Sequence, residues 1–597
     1  MNLVAINRVG RGQVGRGSRL RSCSPLLRRA SRGAIVPRPR NDGGRPSRVA
    51  QGGATNCFSH APSNRLRSPP AAPLQKRFQS TVAQITIALN ISDMRVTIFG
   101  PYAAWSPHFE TDLELAELHL RKRDTVSFIT CDAVLKCCEP NYYHDYATCL
   151  RCMGIAKAGL SLLPKRIRIV PLSSLILPIS DELQIVNSIC ARPLSYDALY
   201  DITIDNFDLG AAALSTMNDL FRDPEPNPAD NLQITREVLF SALATYKALC
   251  KYLKENPCDM FYVFNGRFAN LRAALRACQL RGVPCFVHER GSDLNSYVLA
   301  PNTMPHDPAF MLPYRSSTFE PVSMEVKEKV AHEFYVERSH GIIANWFSFT
   351  NQQQLGLLPD NWVQASQRLA VFTSTESEFA SLRDFYPRGL YPSQKEGIIQ
   401  IIKDFANRDY QGVLAVRMHP NSHDTKSDFT EELRQITCPF LIVIPPLNEI
   451  DSYSLLRTAS AVLTFGSTIG IEAAYWRVPS ILAAPSLYSD LGSTYNPGSH
   501  DEVIQCLLQP LQPKPIEGAI NYGFFAKVYG TRFRFVVSDG VNDCTFKDRK
   551  VGPDELRRNL LYGLTNGRPG GTVLARALAE WERNRQRSLY EKVTADN

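Results

Sequence analysis

The chain has no apolar run that approaches the ~18–20 residues needed to cross a bilayer as a helix. No secretory signal is read in it, and its 15 cysteines are an odd number, which argues against the disulfide framework of an exported domain. A reduced, cytosolic protein is the expectation. Acidic residues are scarce in one place only: residues 1–92 hold 15 Arg and 1 Lys against a single acid, Asp42. That leaves 51 basic and 57 acidic residues in 93–597, so the formal charge of +9 belongs to the first segment. A body near −6 under ordinary ionisation gives no reason to expect a nucleic-acid surface.

Residues 1–92 are rich in Arg, Ser, Pro and Gly without sustained periodicity, a composition that predicts disorder. Two readings compete for them. An Arg-rich, Ser-rich, acid-poor stretch ending in Arg77-Phe-Gln-Ser-Thr-Val82 looks like an organellar transit peptide. Alternatively it is translated upstream sequence, with Met94 directly before the first strand; this second reading is the one preferred. The remaining 505 residues suggest more than one domain.

The most informative stretch runs from Ala461 to Leu482. A short apolar β run, Ala461–Phe465, turns at Gly466; a helix starts at Ser467 and stops at Arg477 and Pro479; a second apolar run follows at Pro479–Ala483. This is a β-α-β unit with short connections, the element of a parallel sheet. Gly466, Ser467 and Thr468 place backbone N–H groups and two hydroxyls at a helix start, which favours an anion. Glu472, one turn on, is placed to accept from ribose hydroxyls. The plainer reading is a helix cap and a solvated carboxylate.

Upstream, Arg95–Gly100 and Thr125–Thr130 read as parallel strands separated by a loop bearing His108 and a helix over 110–123. Cysteines cluster next. Cys149-Leu-Arg-Cys152, with Cys131 and Cys138 (or Cys137), could complete a four-sulfur site for structural zinc or an iron–sulfur cluster; the competing reading is reduced cysteines packed as small hydrophobes. Met260–Phe264 and Pro284–Val287 read as strands ending in Asn265-Gly-Arg267 and His288-Glu-Arg-Gly-Ser292. Polar motifs at adjacent strand ends mark a binding crevice, the alternative being mutual pairing of Glu289 with Arg267 or Arg290. A second sheet is expected from Leu369–Thr373, Val413–Met418 and Phe440–Ile444. Arg417 and His419 stand at a strand end close to the Ser467 turn, where Arg suits phosphate geometry and His can donate to a leaving phosphate. An amphipathic helix over Val573–Leu589 closes the chain.

The series Arg417-Met-His-Pro420, Phe465-Gly-Ser-Thr-Ile-Gly-Ile-Glu472 and Pro479-Ser-Ile481, with Asn265-Gly-Arg267 and His288-Glu-Arg-Gly291, resembles bacterial capsule and surface-polysaccharide biosynthesis glycosyltransferases. The likeness spans about 95–510. It implies a GT-B fold: two doubly wound Rossmann-like domains facing a cleft, assigned to 93–340 (acceptor, with the Cys-rich insertion) and 341–550 (nucleotide sugar), then a helical tail, 551–597. By resemblance Arg417, His419, Gly466, Ser467 and Thr468 hold the donor's phosphates and Glu472 its ribose, while Asn265, Arg267, His288 and Arg290 serve the acceptor side.

Transfer of this kind needs no Asp-x-Asp metal site if protein cations and helix dipoles neutralise the leaving phosphate. It does need a base for the acceptor hydroxyl, for which Glu289 is the first candidate and His108 the second. The implied partners are a nucleotide-sugar donor and a polysaccharide or lipid-linked acceptor, with peripheral membrane association and no nucleic acid. A non-hydrolysing nucleotide-sugar 2-epimerase, a polyol-phosphate transferase and a non-catalytic sugar- or nucleotide-binding protein are the alternatives.

Overall fold

The computed structural model describes residues 93–176, 180–344, 348, 350, 352–386, 389–424, 429–552 and 571–595. The expectations for residues 1–92, and for the first part of the C-terminal tail, lie outside the described residues.

Two parallel sheets share one strand order. In the first half, β1 (Arg95–Phe99), β2 (Thr125–Thr130), β3 (Arg168–Pro171), β4 (Met260–Phe264) and β5 (Cys285–Arg290) lie in the order β3-β2-β1-β4-β5, all parallel. In the second, β7 (Arg368–Phe372), β8 (Val413–Arg417), β9 (Leu441–Ile444), β10 (Ala461–Thr464) and β11 (Ser480–Leu482) repeat the pattern as β9-β8-β7-β10-β11. Both are Rossmann orders, with the direction of winding reversing between β1 and β4 and again between β7 and β10. Two such halves make the GT-B architecture.

Strand alternation divides the first sheet's side chains between two cores. Phe99, Ile129, Phe261, Val263 and Val287 meet helices Leu209–Phe221, Leu232–Glu255 and Ala269–Arg281. Ile98, Phe128, Tyr262 and Phe286 meet helices His108–Arg121 and Tyr146–Leu160 on the other face. In the second half, Ile398, Ile401, Ile402 and Phe405 form the i, i+3, i+4, i+7 stripe of helix Gln394–Asn407, and all four are buried on β7 and β8. Each such side chain contributes about 1.5–3 kcal/mol through burial.

The domain boundaries differ from those read in the sequence. Helices Pro308–Phe319 and Met324–Ser339 belong with the second half: Tyr335 Oη donates to Ala519 O at 2.7 Å, and Arg315 pairs with Asp490 at 2.7 Å. Conversely, the chain leaves the second half before residue 550. At Gly530 (φ +102°) a Cβ would stand 2.9 Å from Tyr297 O, so the crossing needs glycine. β12 (Thr531–Arg532) then adds antiparallel to β6 (Ser296–Pro301) of the first sheet. A small sheet of β13 (Val536–Gly540), β14 (Asp543–Phe546) and β15 (Arg549–Lys550) follows, with Val536, Cys544 and Phe546 in the first half's core. Glu114 accepts from the backbone N–H groups of Arg534 and Phe535, each at 2.8 Å, and Glu117 pairs with Lys547 at 2.7 Å.

The closing helix, Gly571–Ala595, packs on Tyr146–Leu160. Arg583 in it donates to the carbonyls of Asp132 and Ala133 at 2.9 and 2.8 Å. Periodicity shows that such segments have a buried face; it does not show which sheet receives it. Among the described residues no helix is long and apolar enough to cross a membrane.

Candidate functional site

In a doubly wound sheet the loops after the two strands at the reversal point are where a ligand crevice is expected. For the first half these follow β1 and β4. The helix after β1 begins at His108, two residues before the start read in the sequence, so His108 is a helix residue and shares with Asp112 the face turned to the sheet. His108 is 2% exposed and stacks on Phe264, with ring centroids 3.7 Å apart. Burial, with Arg290 and His288 nearby, pushes it well below the ordinary histidine range, and the ring is neutral.

The β4 turn uses two successive left-handed residues, Asn265 (φ +59°) and Gly266 (φ +69°). Asn tolerates that region because its side chain bonds locally: Asn265 Oδ1 accepts from Arg267 N at 3.0 Å, and Nδ2 donates to Glu289 Oε2 at 2.9 Å. β5 continues through Arg290, so His288, Glu289 and Arg290 are strand residues, not a loop. Glu289 Oε1 accepts from Arg290 N at 3.0 Å and lies 3.9 Å from His108 Nε2. Its carboxyl is 3% exposed, and burial raises it above the usual range. Asp112 Oδ1 lies 2.8 Å from His288 Nε2.

The other two first-half residues hold chain segments together. Arg290 Nη2 donates to Val541 O at 2.7 Å and Ser106 O at 3.2 Å, and burial brings it down to about 10. Arg267 Nη1 donates to Glu378 O at 2.5 Å, across to the second half. That contact belongs to a clasp. The segment after β7 sends Leu382 into the first half's core and Arg383 onto the Tyr196 ring at 4.7 Å, and Arg383 lies 3.6 Å from Glu225. Burial pushes Glu378 up to about 7.

In the second half the loop after β7 lies between the two expected phosphate elements. Ser374 Oγ donates to Phe465 O at 3.0 Å, just before the Gly466 turn. On the other side Thr373 Oγ1 accepts from His419 N at 2.8 Å, and Thr375 Oγ1 is 3.3 Å from His419 Nδ1. The fold thus gathers His419, Gly466, Ser467 and Thr468 around the reversal point. Gly466 is left-handed (φ +87°), and a Cβ there would be 3.1 Å from Pro485 O. His419 Nδ1 accepts from Asn421 N at 3.1 Å, which leaves the ring proton on Nε2. Burial and the neighbouring Arg417 lower this histidine to about 4, so it is a neutral donor and not a cation.

Two sequence readings, those of Glu472 and the cysteines, need correction. Arg417 is at the strand end expected but is only 3% exposed: Nη1 and Nη2 donate to the carbonyls of Pro445 and Asn448, each at 3.0 Å, and Nε is buried without a protein partner. No carboxylate pairs with it among the described residues, and burial lowers it to about 10.

Glu472 does not face a ribose. It is fully buried; Oε1 accepts from Arg338 Nε at 2.8 Å and Oε2 from Tyr453. Arg338 Nη2 also donates to Thr468 Oγ1 at 3.2 Å. The helix containing Glu472 packs inward because Ile471 and Ala474 face Tyr335 and Ile520.

Cys131, Cys138, Cys149 and Cys152 lie close enough for their thiols to act on one another, but they are not grouped as metal ligands. Among the described residues no three His, Cys, Asp or Glu side chains group to hold a metal. Cys149 instead accepts from Asn141 Nδ2 at 3.2 Å and packs with Met153 and Ala579. Burial pushes its thiol up to about 12 and raises those of Cys131, Cys138 and Cys152.

Asp112, Arg338, Tyr453 and Glu378 were missed by sequence reading. Only Asp112 carried a signal, its i+4 spacing from His108.

No protein-family model matches the chain, and neither does any curated protein sequence. Solved structures similar to it include the β-Kdo 2,4 transferase of KpsC from Thermosulfurimonas dismutans, at 11% identity and TM-score 0.30 over 45% of this chain and 79% of that one. The UDP-GlcNAc 2-epimerase from Neisseria meningitidis bound to UDP-GlcNAc matches at 12% identity and TM-score 0.24 over 72% and 98%. The calicheamicin glycosyltransferase CalG4 matches at 11% and 0.24 over 73% and 94%. These are likenesses of fold; none assigns a role to a residue of this chain.

Proposed function

We propose that the chain is a glycosyltransferase that moves a sugar from a nucleotide-sugar donor to a hydroxyl of a surface-polysaccharide or glycolipid acceptor. The observation that carries this reading is Arg417. A buried guanidinium with no carboxylate partner among the described residues, two positions before a neutral histidine donor, suits the phosphates of a nucleotide sugar, and the Gly466 turn at a helix start lies across the β7 loop from that histidine. Arg417 Nε, His419 Nε2 and the Gly466–Thr468 turn would stabilise the negative charge that develops on the leaving phosphate. On the facing side Glu289, raised by burial, takes the acceptor proton. The acceptor oxygen bonds to the anomeric carbon while the carbon–phosphate oxygen bond breaks. The electron pair departs with the nucleotide and the proton passes to Glu289. No step calls on a metal.

A thermal-shift screen of the full chain against UDP, CMP, GDP and their sugars tests the reading. A ligand at ~100 times its dissociation constant adds about 2.7 kcal/mol. The reading requires at least one nucleotide to stabilise the protein, and fails if none does. Incubating the stabilising donor alone and analysing the sugar for inversion at C2 separates transfer from epimerisation.

A further inference from the structure

Helix His108–Arg121 and β5 meet through two acid–imidazole contacts running in opposite senses. The helix supplies His108 and, one turn later, Asp112; the strand supplies His288 and then Glu289. Asp112 to His288 is a hydrogen bond at 2.8 Å, whereas His108 Nε2 to Glu289 Oε1, at 3.9 Å, is too long for one. All four residues are at most 3% exposed, and His108 Nε2 has no hydrogen-bond partner in the protein.

The longer contact is not slack. Phe264 fixes the His108 ring, while Asn265 and the Arg290 N–H fix the carboxylate. An oxygen about 2.8 Å from both atoms, set to one side of the line between them, fits a 3.9 Å separation, the two hydrogen bonds then meeting at roughly a right angle. Buried polar atoms are ordinarily satisfied, so an orphan nitrogen facing a carboxylate calls for a guest.

We propose that the space between His108 Nε2 and Glu289 Oε1 is the seat of the acceptor hydroxyl, and that Asp112 is a positioning residue that sets its width. Through His288, Asp112 ties the strand bearing Glu289 to the helix bearing His108. The seat rests on the transferase reading for the identity of its occupant, but its walls belong to the protein alone.

A guest here must donate to the carboxylate and accept from an imidazole N–H. A hydroxyl does both; an ammonium only donates. The acceptor is therefore an alcohol. One lone pair of its oxygen accepts from His108, the other attacks the anomeric carbon, and its proton goes to Glu289.

Crystals of the substrate-free full chain test this without knowledge of the donor. A water oxygen should lie within about 3.2 Å of both His108 Nε2 and Glu289 Oε1, because water has the same donor and acceptor pattern. Asp112→Ala should lose that water. Asp112→Asn, which keeps a hydrogen bond to His288, should retain it, a rescue that mere loss of folding would not show. In ¹⁵N-histidine NMR, His108 should carry its proton on Nε2.

A wild-type seat without water, a water that survives Asp112→Ala, or a proton on Nδ1 of His108 overturns the proposal. A seat that holds water in a protein no nucleotide stabilises overturns the acceptor assignment together with the transferase reading. Nucleotide binding without the water overturns the seat alone.

Discussion

Arg338 Nε stands 2.8 Å from Glu472 Oε1, linking helix Met324–Ser339 to the helix that follows the Gly466 turn. The same guanidinium reaches Thr468 Oγ1, so one arginine fixes both the cap and the first turn of that short helix. Glu472 therefore shapes the Gly466–Thr468 turn from beneath. Glu472→Ala should cost about 1.5–3 kcal/mol of stability, the range for a lost charge-assisted bond. Denaturant melts measure this, and a variant as stable as wild type would return Glu472 to a ligand-facing role.

Glu378 gives the clasp between the halves a pH dependence. Its folded value of about 7 lies above the ordinary 4.5. The stability it contributes is thus fully present below about 4.5 and is lost as the pH rises through about 7. Glu378→Gln mimics the protonated carboxyl at every pH. The variant should match wild type in melting temperature at pH 4 and exceed it at pH 8. A difference that stays constant between those pH values contradicts the assignment.

The cysteine cluster should hold no stoichiometric metal. Elemental analysis of protein purified without chelator is expected to find far less than one zinc or iron per chain, and a thiol reagent should react fully only after unfolding, given the burial of Cys137 and Cys149. One metal per chain would show that the four sulfurs can move together.

Much of the fold was legible because its signals are local. Val-Thr-Ile-Phe before a turn, Met-Phe-Tyr-Val-Phe before Asn265-Gly266 and the unit at 461–482 each carry strand and turn chemistry in a few residues, and each forms the strand expected within a residue or two. What failed was long-range. Nothing near Thr531 says that it pairs with Tyr297, or that helix Met324–Ser339 serves the second half.

The site divided in the same way. Turn residues such as Asn265, Gly266 and Gly466 were readable from their backbone needs, but Glu472 was misplaced and the depth of Arg417 was not read, because burial depends on what lies above them. A metal site was inferred from a C-x-x-C pair with further cysteines upstream, and on helix Tyr146–Leu160 that spacing places both sulfurs on one packed face.

The returning segment should matter to the first half. Glu114→Ala removes the acceptor of two backbone N–H groups at 2.8 Å, and about 1.5–3 kcal/mol of stability should go with it. Hydrogen exchange should quicken at Arg534 and Phe535 while the second half is unchanged. Exchange that rises equally in both halves would mean that the segment does not belong to the first.

The most direct test of the central claim is calorimetric titration of the stabilising nucleotide into wild type and Arg417→Gln. Loss of a charge-assisted bond of ~1.5–3 kcal/mol should weaken binding roughly 10- to 150-fold. Because Arg417 also holds the carbonyls of Pro445 and Asn448, the melting temperature should fall as well, so the titration belongs well below it. Weakened binding by a protein that is still folded is the predicted result. Nucleotide affinity equal to that of wild type would contradict the account, because the diphosphate would then lie away from Arg417.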